Sequence, residues 1–495
     1  MTQSFRLLKE LLSSLSKREL SSLKKKFFTG TEENDDREIK TQKLVNLIIQ
    51  VPNVSQVRAE YEIYKSKNEI AFLKLVERII EKIDEIYVSF NRESIPSFSE
   101  RNFYFFFLKR KLLIIQMRWL RGVDFDIKVQ FERIITLSKR YELYDCLVET
   151  LLAKQRFMSF HFGTKAFEMI EKEIIYYEEC SRMTQRSRRL FTKIASKINQ
   201  LIPPMEYLGE LKEIVAVLER DFNYTKSASI GYFLYYLQIE LYQIHQKYRE
   251  AGQMLIKQLN LLKNNVSIYT KDRNGEILLN VCSNQIYLLN YKSAVEAAEI
   301  AKSFYEPNSA QLYVAMEVEF FARFYNGEID AAEKIIEEIY HATRLGNSPI
   351  LFSKRAYLFA CIKTIKGEIR KSDELLLDVN EVAKDKGGWN LAKRNLSIIN
   401  CIETQNFEKA DLKIQSLEKF IKRNSKAHNI PKRNVIILRI LLKLNNENYD
   451  FNKVYKQRKR YFELLEGNDP DYGWKIRSPE LIVFHEWFRS KMKPS

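Results

Sequence analysis

Five histidines, five cysteines and a scatter of carboxylates are the residues of this 495-residue chain that could do chemistry, and their spacing argues against it. His161, His245, His341, His428 and His485 are dispersed, with no two inside one helical turn, so no helix offers the paired imidazoles of a metal site. Cys146, Cys180, Cys282, Cys361 and Cys401 are also far apart, which rules out a zinc-finger or redox pair close in sequence. The phosphate-cradling G-x-G-x-x-G and Gly-x4-Gly-Lys loops are absent, as is a Gly-x-Ser-x-Gly nucleophile elbow. Acidic pairs such as Glu178-Glu179 and Glu337-Glu338 read as solvated helix faces rather than acid–base dyads. The expectation is a protein that is not an enzyme, with no catalytic residue, cofactor or metal site.

What stands out instead is positive charge, a formal net +17. Lys456, Arg458, Lys459 and Arg460 lie between Tyr455 and Tyr461, and such interleaving of cations and aromatics suits a nucleic-acid surface. Arg186, Arg188 and Arg189, with Lys193, form a second cluster; Lys24-Lys25-Lys26 and Lys422-Arg423 with Lys426, Lys432 and Arg433 are two more. Lys456, Arg458, Lys459, Arg460, Arg186, Arg188 and Arg189 are the candidate contacts for a nucleic acid or an acidic partner. The plainer reading has the tyrosines packed inward and the cations in water.

The elements that would position these residues are helices in a repeat. One phrase recurs: Tyr248-Arg249-Glu250-Ala251, Tyr291-Lys292-Ser293-Ala294, Ile329-Asp330-Ala331-Ala332, Ile369-Arg370-Lys371-Ser372 and Phe407-Glu408-Lys409-Ala410. Each holds a large apolar residue, two mostly charged ones and a small one, at a period of roughly 40 residues, which marks a helical solenoid. The small residue lets two helix backbones approach. The same face continues at helical spacing with Leu255, Ala298, Ile336, Leu376 and Ile414, then Ala301, Ile339, Val379 and Leu417, broken only by Gln258 in the first copy. Asn326-Gly327, Lys366-Gly367 and Gln405-Asn406 supply the turn before three of these helices.

Asn326-Gly327-Glu328-Ile329-Asp330-Ala331-Ala332 and Gln405-Asn406-Phe407-Glu408-Lys409-Ala410 resemble the turn and second-helix start of the tetratricopeptide family. The period is longer than that family's usual ~34 residues and nearer that of HEAT-type repeats. The resemblance implies a superhelix with a groove that binds a protein or peptide. It does not extend to that family's carboxylate clamp, because Lys354 has Cys361 two turns on where the clamp needs Asn.

The predicted fold is all-α: a right-handed α-solenoid of antiparallel helix pairs preceded by an N-terminal helical module. Residues 1–95 form that module, 96–226 degenerate repeats, 227–478 the clear repeats and 479–495 a capping helix. Ser16 and Glu19 form a capping box. Gly30 ends the second helix, 31–37 is a loop and 92–99 a linker. Helices are predicted at 38–50, 55–66, 68–90, 99–121, 124–140, 142–161, 164–181, 184–199, from Pro204 onward, and as a sixth pair over 431–466. The aromatic run 103–107 is predicted to be buried on more than one face. The last helix, 479–492, should lay Leu481, Phe484 and Trp487 on the 431–466 pair.

No segment is apolar enough to span a membrane, the start carries charges unlike a signal peptide, and dispersed cysteines suit the cytosol. The expected role is a cytoplasmic scaffold binding a protein or peptide in its groove. The alternative is a nucleic-acid-binding regulator with an N-terminal head and peptide-sensing repeats.

Overall fold

The computed structural model describes residues 2–28, 36–66, 68–88, 99–200, 202–344, 348–380, 388–424 and 430–492. Gly30, most of the expected loop 31–37 and most of the expected linker 92–99 lie outside them. Among the described residues every regular element is an α-helix, and beyond the first five helices the packing is chiefly between chain neighbours, as in an all-α solenoid. The chain divides into two compact units, 1–186 with 266–268, and 187–265 with 269–495.

In the first unit, α1 (Gln3–Ser14), α2 (Lys17–Phe28), α3 (Asp36–Gln50), α4 (Gln56–Tyr64) and α5 (Glu69–Val88) enclose a core of Phe5, Leu8, Leu44, Phe72 and Ile79. The capping box is present: Ser16 N–H donates to Glu19 at 2.9 Å and Glu19 N–H to Ser16 Oγ at 3.3 Å. Then come α6 (Glu100–Leu120), α7 (Ile127–Arg140), α8 (Tyr144–Phe162) and α9 (Thr164–Asn199), which runs on into the second unit. The aromatic run on α6 is not buried as predicted. Phe106 is exposed and the other four are half-buried, with Phe103 stacked on Phe107 at 5.6 Å and Tyr104 on Tyr141 at 4.4 Å. The helix packs on α7 and α8 through Leu108, Leu112 and Ile115, and the aromatic rings shelter one another.

The two helices predicted over 164–199 are one. Ser181 and Thr184 look like a break, but Ser181 bonds Asp145 and Thr184 is buried. Ser187, also buried, bonds Asp221 at 3.2 Å. These polar residues face neighbours, so the apolar period lapses while the helix continues.

The second unit stacks helix pairs after α10 (Pro204–Thr225). The first helices are α11 (Ala228–Ile244), α13 (Lys271–Tyr287), α15 (Ala310–Tyr325), α17 (Pro349–Ile365), α19 (Trp389–Glu403) and α21 (Lys432–Asn446). The second helices are α12 (Tyr248–Asn264), α14 (Tyr291–Lys302), α16 (Ile329–Arg344), α18 (Ile369–Leu377), α20 (Phe407–Asn424) and the broken α22 (Phe451–Gln457) and α23 (Lys459–Glu466). All five copies of the phrase open a second helix at its first residue. Ala251, Ala294, Ala332, Ser372 and Ala410 are fully buried at the crossings. Each fully buried neighbour, such as Phe320 or Ile336, adds roughly 1.5–3 kcal/mol.

The turns obey one rule. Gln246, Leu289, Gly327, Gly367 and Gln405 all adopt left-handed φ, between 56° and 80°, two residues before the second helix. The next N–H then reaches the carbonyl five residues back, Lys247 to Tyr242, Asn290 to Gln285, Glu328 to Arg323, Glu368 to Lys363 and Asn406 to Cys401, at 2.8–2.9 Å. This is the Schellman helix end. The same device joins α7 to α8 through Glu142, with Leu143 N–H on Ser138. Asn448 supplies it before α22, with one extra residue inserted, so the phrase is poorly matched there.

Candidate functional site

The first helices form the inner side of the stack: α13 packs on α15 and α17 on α19, whereas among the described residues no second helix packs comparably on the next. On α17, residues 355–364 are all buried, which two flanking helices cannot achieve for a solenoid helix. Something covers its inner face, and that cover is the chain's own C-terminal segment.

After α23 the chain leaves as a loop, 467–483, across the first helices and returns. At its far point Arg477 N–H donates to Tyr325 Oη of α15 at 2.8 Å, and the guanidinium lies 5.5 Å from the Phe321 ring and 6.0 Å from that of Tyr287. Trp474 stands edge-on to Tyr325 at 6.2 Å, and its indole N–H closes the loop neck on the Glu480 carbonyl at 2.9 Å. On the way back Tyr357 of α17 donates its hydroxyl to the Pro479 carbonyl at 2.7 Å, and Leu481 is buried in the core of that helix. Then α24 (Phe484–Ser490) lays Phe488 against Phe451 and Phe462, while the Trp487 indole donates to Glu403 at 2.7 Å.

The capping helix is therefore shorter than the predicted 479–492. Residues 479–483 stay irregular, with Leu481 N–H on the Pro479 carbonyl at 3.1 Å, because their groups are spent on the groove: the Glu480 carboxylate binds Arg433 and accepts Phe484 N–H at 2.9 Å, the bond that starts α24. Leu481 accordingly serves a different helix from Trp487.

The anchor of the loop is Arg433, on the first turn of α21. It is 7% exposed and donates to both Glu480 oxygens (2.7 and 2.8 Å) and to the carbonyls of Leu465 (3.0 Å) and Tyr472 (2.8 Å). Its own N–H meets the Asp471 carbonyl at 3.2 Å. His485 sits 3.3 Å away. Burial, helped by the Arg433 charge, pushes the His485 pKa down to about 4, so the ring is neutral beside the guanidinium. Gly473 is required for a steric reason: a Cβ there would stand 2.4 Å from the Gly467 carbonyl oxygen. Between the loop and the first turns of α19 and α21 lies a pocket of about 380 Å³, walled in part by Asn395, Lys432 and Asp471.

The predicted contact residues lie elsewhere. Lys456, Lys459 and Arg460 are exposed on α22 and α23; Arg458 falls at the break between them, half-buried over the Tyr461 ring at 5.4 Å. Tyr455 packs on Phe462 and accepts from Arg489. Arg188 and Arg189 are exposed on α9, and Arg186 is half-buried. A third cluster splits: Lys432 pairs with Asp471 at 2.5 Å and Arg433 becomes the loop anchor. Lys354 pairs with Glu317.

All five cysteines are buried free thiols, and burial pushes the Cys282 and Cys361 pKa values up to about 12, far from a nucleophile's. Among the described residues no three His, Cys, Asp or Glu side chains converge as metal ligands, and no helix is long and apolar enough to cross a membrane. The chain matches no known protein family, and no curated protein is similar to it.

Proposed function

We propose that this chain is a non-enzymatic scaffold, tetratricopeptide-like in its working face, that holds a non-helical segment of a protein or peptide partner on the inner side of its helix pairs. One observation carries the reading: that face already holds a non-helical, turn-bearing stretch of polypeptide, through bonds between its main chain and the Tyr325 and Tyr357 hydroxyls and an arginine among aromatic rings. The face also continues beyond the loop. Val314 on α15 lies two turns before Phe321, and Ile350 on α17 two turns before Tyr357; both are exposed, at 52% and 63%. Exposed apolar residues aligned with an occupied groove suit a partner rather than water. The five buried thiols suit a reducing compartment such as the cytoplasm.

A photo-crosslinking amino acid placed at Val314 tests this. In cells it should give one discrete protein adduct, absent when the same group replaces the exposed Glu337 on the second helix α16. No adduct at Val314, or the same adduct at both positions, would refute the groove.

A further inference from the structure

The loop is fitted unevenly. Its flanks are pinned: Arg433 binds Glu480, Gly473 packs on Gly467, and Leu481, Phe484 and Phe488 are buried. Its tip, 474–479, is bonded through Trp474, Arg477 and the Pro479 carbonyl but leaves three features unsettled. Arg477 holds a left-handed φ of 61°, a conformation that suits glycine and costs any other residue energy. Ser478 Oγ is buried with no hydrogen-bond partner. Lys475 points into solvent. A permanent plug would have settled these groups, as the flanks have. The tip also leaves Val314 and Ile350 bare, so it covers only part of the face it occupies.

What the tip offers the groove is a cation. The Arg477 guanidinium lies against Phe321 and Tyr287, an arrangement in which ring quadrupoles attract positive charge. The main chain of the same residue is held by Tyr325, whose own pKa burial pushes up to about 12, keeping its hydroxyl neutral.

We propose that the tip is a tethered stand-in for the partner. The partner is a peptide that sets an arginine or lysine between Tyr287 and Phe321, lays apolar side chains on Val314 and Ile350, and displaces residues 474–479 while the flanks stay anchored. This rests on the groove reading above. A tethered competitor lowers the apparent affinity of the free ligand by the fraction of time it holds the site. Weakening the tip should therefore tighten binding in trans.

The test uses the full chain and a fluorescent peptide copying residues 472–480, followed by anisotropy. Arg477→Ala should bind it about tenfold more tightly than the wild type. Arg477→Lys, which keeps the cation, should match the wild type. A peptide whose own arginine is replaced by alanine should lose binding to every form. Saturating peptide should also speed tryptic cleavage after Lys475 in the wild type. If Arg477→Ala fails to fold, Arg477→Gln takes its place. Equal affinity of the wild type and the weakened form, or no binding to either, overturns the stand-in. If Val314 still crosslinks a partner in that case, the groove reading survives; if it does not, both fall.

Discussion

Replacing Glu480 with alanine should free the C-terminal loop without disturbing the repeats beneath it. Arg433 is 7% exposed and would keep its charge in a site that water barely reaches. The substitution deletes two charge-assisted bonds, at 2.7 and 2.8 Å, and the acceptor for Phe484 N–H that starts α24. Removing one member of such a pair costs roughly 3–5 kcal/mol. Two carbonyls, of Leu465 and Tyr472, still face the guanidinium, which puts the figure at the lower end, about 3 kcal/mol. At 1.4 kcal/mol per decade, the open fraction of the loop should rise by about a hundredfold. Limited trypsinolysis reads this directly, because Lys475 and Arg477 lie in the loop and cleavage of a transiently opened segment follows its open population. Initial cleavage at these two sites should accelerate about a hundredfold, while sites in α12–α16 keep their wild-type rates. The double change Arg433→Met with Glu480→Leu removes both charges and should recover most of the protection. Cleavage of Glu480→Ala within twofold of the wild type would refute the anchor, and a double variant as loose as the single would show that charge burial is not the reason.

Four further outcomes follow from the same geometry. Ala294→Phe should cost roughly 1–3 kcal/mol in chemical denaturation, since the site is fully buried at the crossing of α13 and α14; no change would mean the pair can slide apart. Gly327→Ala should destabilise by about 1 kcal/mol while Leu289→Gly stabilises, because both sites hold left-handed φ and only one carries a side chain there; two shifts of the same sign would contradict the turn rule. His485 binds its proton less readily folded than unfolded, so below the usual histidine pKa of about 6.5 the unfolded chain takes up protons first and stability falls as pH drops toward about 4; replacement by Gln should flatten the melting-temperature profile between those values, and an unchanged slope would show that other groups set it. If the surface charge binds nucleic acid at all, the binding should vanish near physiological salt, and Lys456, Arg458, Lys459 and Arg460 changed together should lower the salt slope; tight, sequence-specific binding at that salt would promote the regulator reading.

What could be read from the sequence was local. The second helices begin at Tyr248, Tyr291, Ile329, Ile369 and Phe407, as the phrase indicates, because turn, cap and crossing all lie within a few residues. The pair α7–α8 uses the same turn, but Glu142 carries no turn signal and Leu147 stands where the clear copies have a small residue, so the pattern is hidden. The break at Arg458 and the continuity of α9 were equally invisible, since buried polar contacts carry no hydrophobic period. The groove's occupant was the largest omission. Arg433 and Glu480 are 47 residues apart, and Arg433 looked like one more surface cation. The run from Gly467 to Ser478 is turn-rich and reads as a loop, but no periodicity says where a loop goes. Ile476, Leu481 and Ile482 around a proline were the only hint that it is packed against something.

The bonds from Tyr325 to Arg477 and from Tyr357 to Pro479 span 152 and 122 residues. A stack of repeats held only by nearest neighbours can fray from its free end one unit at a time and can assemble as each unit leaves the ribosome. Here a segment synthesised more than a hundred residues later fastens helices made long before it. From α13 onward the repeats must wait, with Phe321, Tyr325 and Tyr357 uncovered, until residues 474–481 have been made. The cost is a slow, non-local closing step and a nascent chain that exposes aromatic surface. The return is that the stack between α13 and α24 should melt as one block, and a chain cut short before residue 467 would betray itself to quality control through an open aromatic face.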